Sequence, residues 1–240
     1  MPNNFFQFKK FIVRQDKCAM KVCTDSCLFG AWVAHAIEQK EFNPKNILDI
    51  GTGTGLLSLM LAQKTNSFID AVEANGDAYT QACENFKASL WNKQLHAFHS
   101  DIKKWKTPNK YDLIICNPPF FENDLLPEDE QKNISKHSHA LSLEELLFAV
   151  QNLLSEHGNF AVLLPSNRAT WFESKAFNHS LFAKECVLVK QTTKHNIFRT
   201  ILILKKQKTG QVMKTISIKN DNNDYTPEFI ELLEDYYLYL

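Results

Sequence analysis

The chain lacks an excess of charge of either sign, since its 240 residues carry 27 Lys and Arg against 27 Asp and Glu. That balance leaves no overall cationic field to advertise a nucleic-acid partner, so any basic contact surface has to be local. A long apolar run is missing too. The opening MPNNFFQFKKFIVRQDK holds no continuous apolar stretch of signal-peptide length, and no segment reaches the roughly 18 apolar residues of a membrane span. A cytoplasmic, soluble chain with no membrane partner is expected. Internal repeats, low-complexity tracts and linkers long enough to separate domains are also missing, so 240 residues with 44% apolar content are expected to build one large core. Cysteine occurs six times, but without metal-site spacing. Cys18, Cys23 and Cys27 do not form the C-x2-C pairs of zinc ribbons, no His follows at ligand spacing, and Cys83, Cys116 and Cys186 fall in core-like segments. Neither a metal nor a disulfide is expected.

What the chain does have is alternation. NILDI (46–50), FIDAVE (68–73), HAFHSD (96–101) and DLIIC (112–116) read as strands, with amphipathic helices over LLSLMLAQK (56–64) and DAYTQACENFKASL (77–90). This rhythm predicts an α/β fold, a parallel sheet covered on both faces. Beyond it come a helix SLEELLFAVQNLL (142–154), a stop at Gly158, a strand NFAVLLP (159–165), a helix near 167–178 and strands CVLVKQ (186–191) and FRTILILKK (198–206). The link TTKHNI is too short for a helical crossover and predicts an antiparallel hairpin at the sheet edge. In TPEFIELLEDYYLYL, Thr226, Pro227 and Glu228 start a final helix. The polar segment FENDLLPEDEQKNISKHSH (121–139) is long enough to be functional or disordered.

Chemistry concentrates at the strand ends. LDIGTGTGLL puts Gly51, Gly53 and Gly55 between the first strand and its crossover helix, at the carboxyl edge where open parallel sheets bind ligands. Leu56 stands where a dinucleotide fingerprint would have its last glycine, so the spacing is G-x-G-x-G; a plain tight turn is the competing reading. Glu73 ends the next strand, where a carboxylate can accept both hydroxyls of a ribose, and Asp101 ends the third, where one can accept from an adenine amino group. The fourth strand runs into NPPF, Asn117 to Phe120. Asn117 offers a side-chain oxygen and Pro118 a carbonyl, two acceptors for the two N–H donors of one amino group. Pro118 and Pro119 bring no competing N–H, and Phe120 gives a flat face for a base to stack on. A strand-terminating turn is the alternative.

The ordered set of D-x-G-x-G-x-G (Asp49 to Gly55), acidic strand ends and NPPF resembles the class I S-adenosylmethionine-dependent methyltransferases, in the N-P-P-[FYW] subset that methylates planar nitrogens. The resemblance spans roughly Lys21 to Lys206 and implies a Rossmann-like, mostly parallel seven-stranded sheet with an antiparallel C-terminal hairpin and helices on both faces. Two flanks extend it: RQDKCAMKVCTDSCLFGAW (Arg14 to Trp32) and YTPEFIELLEDYYLYL are similar to the bacterial tRNA1(Val) adenine-37 N6-methyltransferase family. That family implies methyl transfer from S-adenosyl-L-methionine to N6 of adenosine-37 beside the anticodon, with the tRNA anticodon loop as partner, no metal and a monomeric enzyme. It implies one methyltransferase domain over 1–240, with 1–46 as a cofactor-lid and substrate extension and 211–240 as a docked strand-helix extension. Residue by residue, it implies Lys21 and Thr24 by the cofactor, with Asp25 buttressing that lid. Asp49, Gly51, Gly53, Gly55 and Glu73 would surround the methionine and ribose, with Asp101 at the adenine. Asn117 would meet both cofactor and target, and Pro118, Pro119 and Phe120 the target. Cys23 and Cys27 depart from the family's usual glycine or aliphatic residues, and Phe120 replaces the commoner Tyr. Basic clusters at Lys9, Lys10, Arg14 and Lys17, at Lys103, Lys104 and Lys106, and at Lys205, Lys206 and Lys208 could meet phosphates. Three alternatives stand beside this reading: a ribosomal-RNA guanine N2-methyltransferase, a release-factor glutamine N5-methyltransferase, and a non-catalytic binding module. The glutamine enzymes resemble this chain less, because they carry a helical domain before the glycine loop and only 46 residues precede Ile47 here.

Overall fold

Neighbouring residues of one strand point to opposite faces of a sheet, and here both faces are buried: Ile47 enters one core while Leu48 and Ile50 enter the other. The computed structural model describes residues 3–118 and 141–240. In chain order the elements are β1 (Phe5–Gln7), β2 (Ile12–Arg14), α1 (Thr24–Glu38), β3 (Asn46–Ile50), α2 (Leu56–Ala62), β4 (Phe68–Glu73), α3 (Gly76–Ala88), β5 (Leu95–His99) and β6 (Tyr111–Cys116). After the undescribed segment follow α4 (Leu143–Leu153), β7 (Leu154–Pro165), α5 (Ser166–Asn178), β8 (Phe182–Thr192), β9 (Ile197–Lys205), β10 (Val212–Lys219) and α6 (Pro227–Leu233).

The main sheet has the order β10-β8-β9-β7-β6-β3-β4-β5. Only β9 runs against its neighbours, so the sheet is mostly parallel. Strand order reverses between β3 and β6, which makes the carboxyl ends of these two strands the switch point where such sheets open a crevice. Helices α1, α2, α3 and α6 cover one face and α4 and α5 the other.

The mostly parallel α/β sheet and the hairpin β8–β9 follow the sequence reading, but three details differ. The sheet has eight strands among the described residues rather than seven, because β10 pairs in parallel with β8 and removes the hairpin from the edge. Its first four residues, Val212 to Thr215, are exposed, so the segment lacks the apolar signature of a core strand. Gly158 does not stop a helix but lies inside β7, where a side chain would crowd the Tyr111 carbonyl oxygen to 2.9 Å. Asp101 lies two residues past the end of β5, in the turn that follows.

The first strands pair as an antiparallel hairpin, Phe5 opposite Arg14, and pack on the far end of the chain. Lys9 N donates to the Tyr236 carbonyl at 2.8 Å, the Tyr236 hydroxyl donates to the Met60 carbonyl at 3.0 Å, and Tyr237 packs among Phe6, Phe8 and Phe229. Thr226 caps α6, its hydroxyl accepting from Phe229 N, with Pro227 at the first helical position. No helix among the described residues is long and apolar enough to cross a membrane.

Candidate active site

The turn from β3 into α2 is built from left-handed backbone. Gly51, Gly53 and Gly55 have φ of 70°, 56° and 82°, a region that residues with a Cβ rarely adopt. Crowding separates the three. A Cβ on Gly55 would lie 2.4 Å from the Phe86 ring, whereas Gly51 and Gly53 face open space with nothing within 4 Å. Backbone is thereby exposed to a ligand at the first two positions and packed on α3 at the third.

Below the turn, Asp49 has no exposed surface. Its Oδ2 accepts from the Thr52 hydroxyl at 2.6 Å and the Ser58 hydroxyl at 2.7 Å, while Oδ1 is buried and meets no donor among the described residues. Burial pushes this carboxyl up to about 6, against the pull of both hydroxyls. Glu73, at the tip of β4, spans two loops, accepting from Gly53 N at 2.9 Å and from Asn75 N at 2.9 Å. Each oxygen keeps lone-pair capacity for a further donor. Asp101 accepts from Lys103 N at 3.0 Å, so its carboxylate is held in the turn beyond β5. These acceptors and the open glycine turn fit a ligand with hydroxyls, an amino group and a cationic centre, the chemistry of S-adenosylmethionine.

Asn117 follows β6 directly and points back at α1. Its Nδ2 donates to the Ser26 hydroxyl at 2.8 Å, whereas Oδ1 is buried and accepts from no described residue. A buried amide oxygen left without a donor is costly, and each such exception calls for an explanation, of which a ligand that supplies the missing bond is one. Pro118 is buried beside it. Pro119, Phe120 and the loop 121–139 lie outside the described residues.

The N-terminal segment is pinned over this edge by α3. The Asn85 side chain accepts from Arg14 N at 2.9 Å and donates to the carbonyls of Arg14 at 2.9 Å and Thr54 at 2.8 Å, joining that segment to the glycine turn. Gln81 accepts from Lys17 N at 3.0 Å. Lys21 folds its ammonium onto the carbonyls of Gln15 and Cys18, closing its own loop. Thr24 opens α1, and Asp25 takes a 2.8 Å ion pair from Arg199 on β9. Sequence pattern does not single out Ser26, Asn85 or Arg199. Nothing in a strand or helix pattern marks a polar residue whose partner is 174 positions away, as in the Asp25–Arg199 pair.

The basic clusters are partly consumed inside the molecule. Lys9 Nζ donates to the Glu234 carbonyl, Lys17 pairs with Glu84, Lys103 lies between Asp101 and Glu145, and Lys206 donates to the Leu154 carbonyl. Lys104 and Lys106 are exposed on the turn beyond β5.

Residues 31–198 match the family model of the methyltransferase small domain. A tRNA1(Val) (adenine(37)-N6)-methyltransferase from Flavobacterium johnsoniae is 41% identical over 239 residues, 97% of this chain and 99% of that protein. Its namesake from Christiangramia forsetii is 38% identical over 245 residues, covering 100% of both. Among solved structures, a predicted O-methyltransferase from Agrobacterium tumefaciens superposes with a TM-score of 0.68 at 13% identity, over 88% of this chain and 96% of that one, a likeness of fold.

Proposed function

The chain belongs to the methyltransferase small-domain family and, within it, to the group of the tRNA1(Val) (adenine(37)-N6)-methyltransferases, and on that footing we propose that it methylates N6 of adenosine-37 in tRNA1(Val). S-adenosylmethionine supplies an electrophilic methyl group on sulfur. The observation that carries the reading is the buried amide oxygen of Asn117, which lacks a donor among the described residues at the switch point beside the glycine turn.

An exocyclic adenine nitrogen is a weak nucleophile, because its lone pair is delocalised into the ring. Asn117 Oδ1 and the Pro118 carbonyl would each accept one of its two N–H groups. Holding both donors would draw the nitrogen toward tetrahedral geometry and localise its lone pair, so that orientation and fixed dipoles replace a strong base as the methyl carbon exchanges its bond to sulfur, which keeps the electron pair, for one to nitrogen. The methylated nitrogen is acidic enough to lose its proton to water. Gly51 and Gly53 would let backbone approach the cofactor, Glu73 would accept ribose hydroxyls, and Asp101 the adenine amino group. Asp49, fully buried beneath the turn, would bear on the cationic end through its charge rather than by contact, and Lys21, Thr24 and Asp25 would belong to the lid. Phe120 would stack on the extruded base, with Pro119 keeping the turn free of donors. We read the chain as one cytoplasmic, monomeric domain whose residues 1–46 form the lid and 211–240 dock onto it.

Purified protein given radiolabelled cofactor with total tRNA, ribosomal RNA and release factors in parallel is expected to label N6-methyladenosine in tRNA alone. Label on guanosine or on protein would assign the activity to one of the two alternative enzymes.

A further inference from the structure

Asn117 serves as an acceptor only if its amide is turned the right way round, because its NH2 end would meet an incoming amino group donor to donor. The two ends of the amide are nearly alike in shape, so sterics alone do not choose between them. We propose that Ser26, in the first turn of α1, is the positioning residue that makes the choice. Its hydroxyl oxygen accepts from Asn117 Nδ2 at 2.8 Å, which leaves Oδ1 for the substrate.

Three observations carry this. Ser26 is 4% exposed and held on a helix, so its hydroxyl is a fixed point rather than a solvated one. The same oxygen lies 2.9 Å from Cys23 Sγ, and whichever of the two donates, Ser26 keeps a lone pair for Asn117 Nδ2. Asn117 Oδ1, in turn, is buried and without a donor among the described residues. The contacts from Asn117 to Ser26 to Cys23 therefore tie the NH2 end of the amide to the start of α1. It rests on the reading of Asn117 as acceptor for the target amino group, and adds what keeps that acceptor in register.

Ser26→Ala and Ser26→Gly delete the hydroxyl, while Ser26→Thr keeps it. In single-turnover methylation of tRNA at saturating cofactor, the Ala and Gly variants are expected to lose about tenfold in rate, with dissociation constants for cofactor and tRNA within about twofold of the parent. The Thr variant is expected to recover most of the rate. A parental rate in the Ala and Gly variants overturns the proposal, as does a loss of cofactor affinity in step with rate, which would make Ser26 a packing residue. An equal loss in a normally folded Thr variant does the same; if that variant melts early, the Ala and Gly pair decides. Asn117→Ala in the same assay separates the two readings. If it keeps the parental rate, the acceptor role itself fails; if it is inactive while Ser26→Ala is not impaired, only the role of Ser26 fails.

Discussion

A carboxyl group with no exposed surface and one unsatisfied oxygen is strained in its charged form, and Asp49 is such a group among the described residues. Its folded value near 6 lies above the unfolded value of 3.8, so the neutral acid is the form that folding favours. The resulting stability is fully present below pH 4 and is lost as pH rises through 6. Asp49→Asn should remove that dependence: urea unfolding without cofactor is expected to show the parent losing about 2 kcal/mol relative to the variant between pH 4 and 7. A flat difference would rule out the elevated carboxyl. At Asn117 the expectation is kinetic. Asn117→Ala should lower the methylation rate by roughly 100-fold or more, while cofactor affinity measured by titration stays within about threefold, if the oxygen lost is the proposed acceptor for the target. Matching losses of rate and cofactor affinity would move Asn117 to the cofactor side of the site.

Between elements, the N-terminal segment is placed by contacts that no single strand or helix predicts. Asn85, on α3, satisfies both backbone groups of Arg14 and the Thr54 carbonyl at once. Asn85→Ala should cost about 2–3 kcal/mol by leaving those groups unpaired, weaken cofactor binding, and speed proteolysis within residues 3–23. Thermal unfolding, cofactor titration and limited digestion check the three effects, and unaltered digestion would show that the segment is held some other way. What a sequence discloses of such elements has physical limits. Strands such as NILDI and DLIIC are legible because burial on both faces writes continuous apolar runs. The glycine turn is legible because left-handed backbone demands glycine. The strand in the 211–240 extension is expected only from the resemblance, and its pairing with β8 is not expected at all, since a strand whose first half is exposed carries no such mark. Ser26 is invisible for another reason: its role depends on a side chain 91 positions away.

At the scale of the whole molecule, a balanced charge makes tRNA affinity a question of which cations are still available. Lys17 is matched by Glu84 and Lys103 by Asp101 and Glu145, so neither can be counted fully toward a phosphate. Lys104 and Lys106 are the better candidates, standing on the turn that follows β5 at the carboxyl edge. Replacing both with Glu should weaken tRNA binding by roughly tenfold at low salt and flatten the dependence of log affinity on log salt, with cofactor binding unaltered. Filter binding over a salt series tests this, and an unaltered slope would exclude the turn from the RNA interface.

The bond between the β1–β2 hairpin and Tyr236 has a consequence in time as well as in space. Lys9 also reaches the Glu234 carbonyl, 225 positions along the chain. During synthesis at roughly 5–20 residues per second, the aromatic hairpin therefore waits on the order of ten to fifty seconds for the residues that cover it. Phe6 and Phe8 spend that interval without Tyr237. A nascent chain therefore carries this hairpin partly uncovered until residues 236 and 237 emerge, and shortened chains that stop before residue 236 should bind chaperones through it.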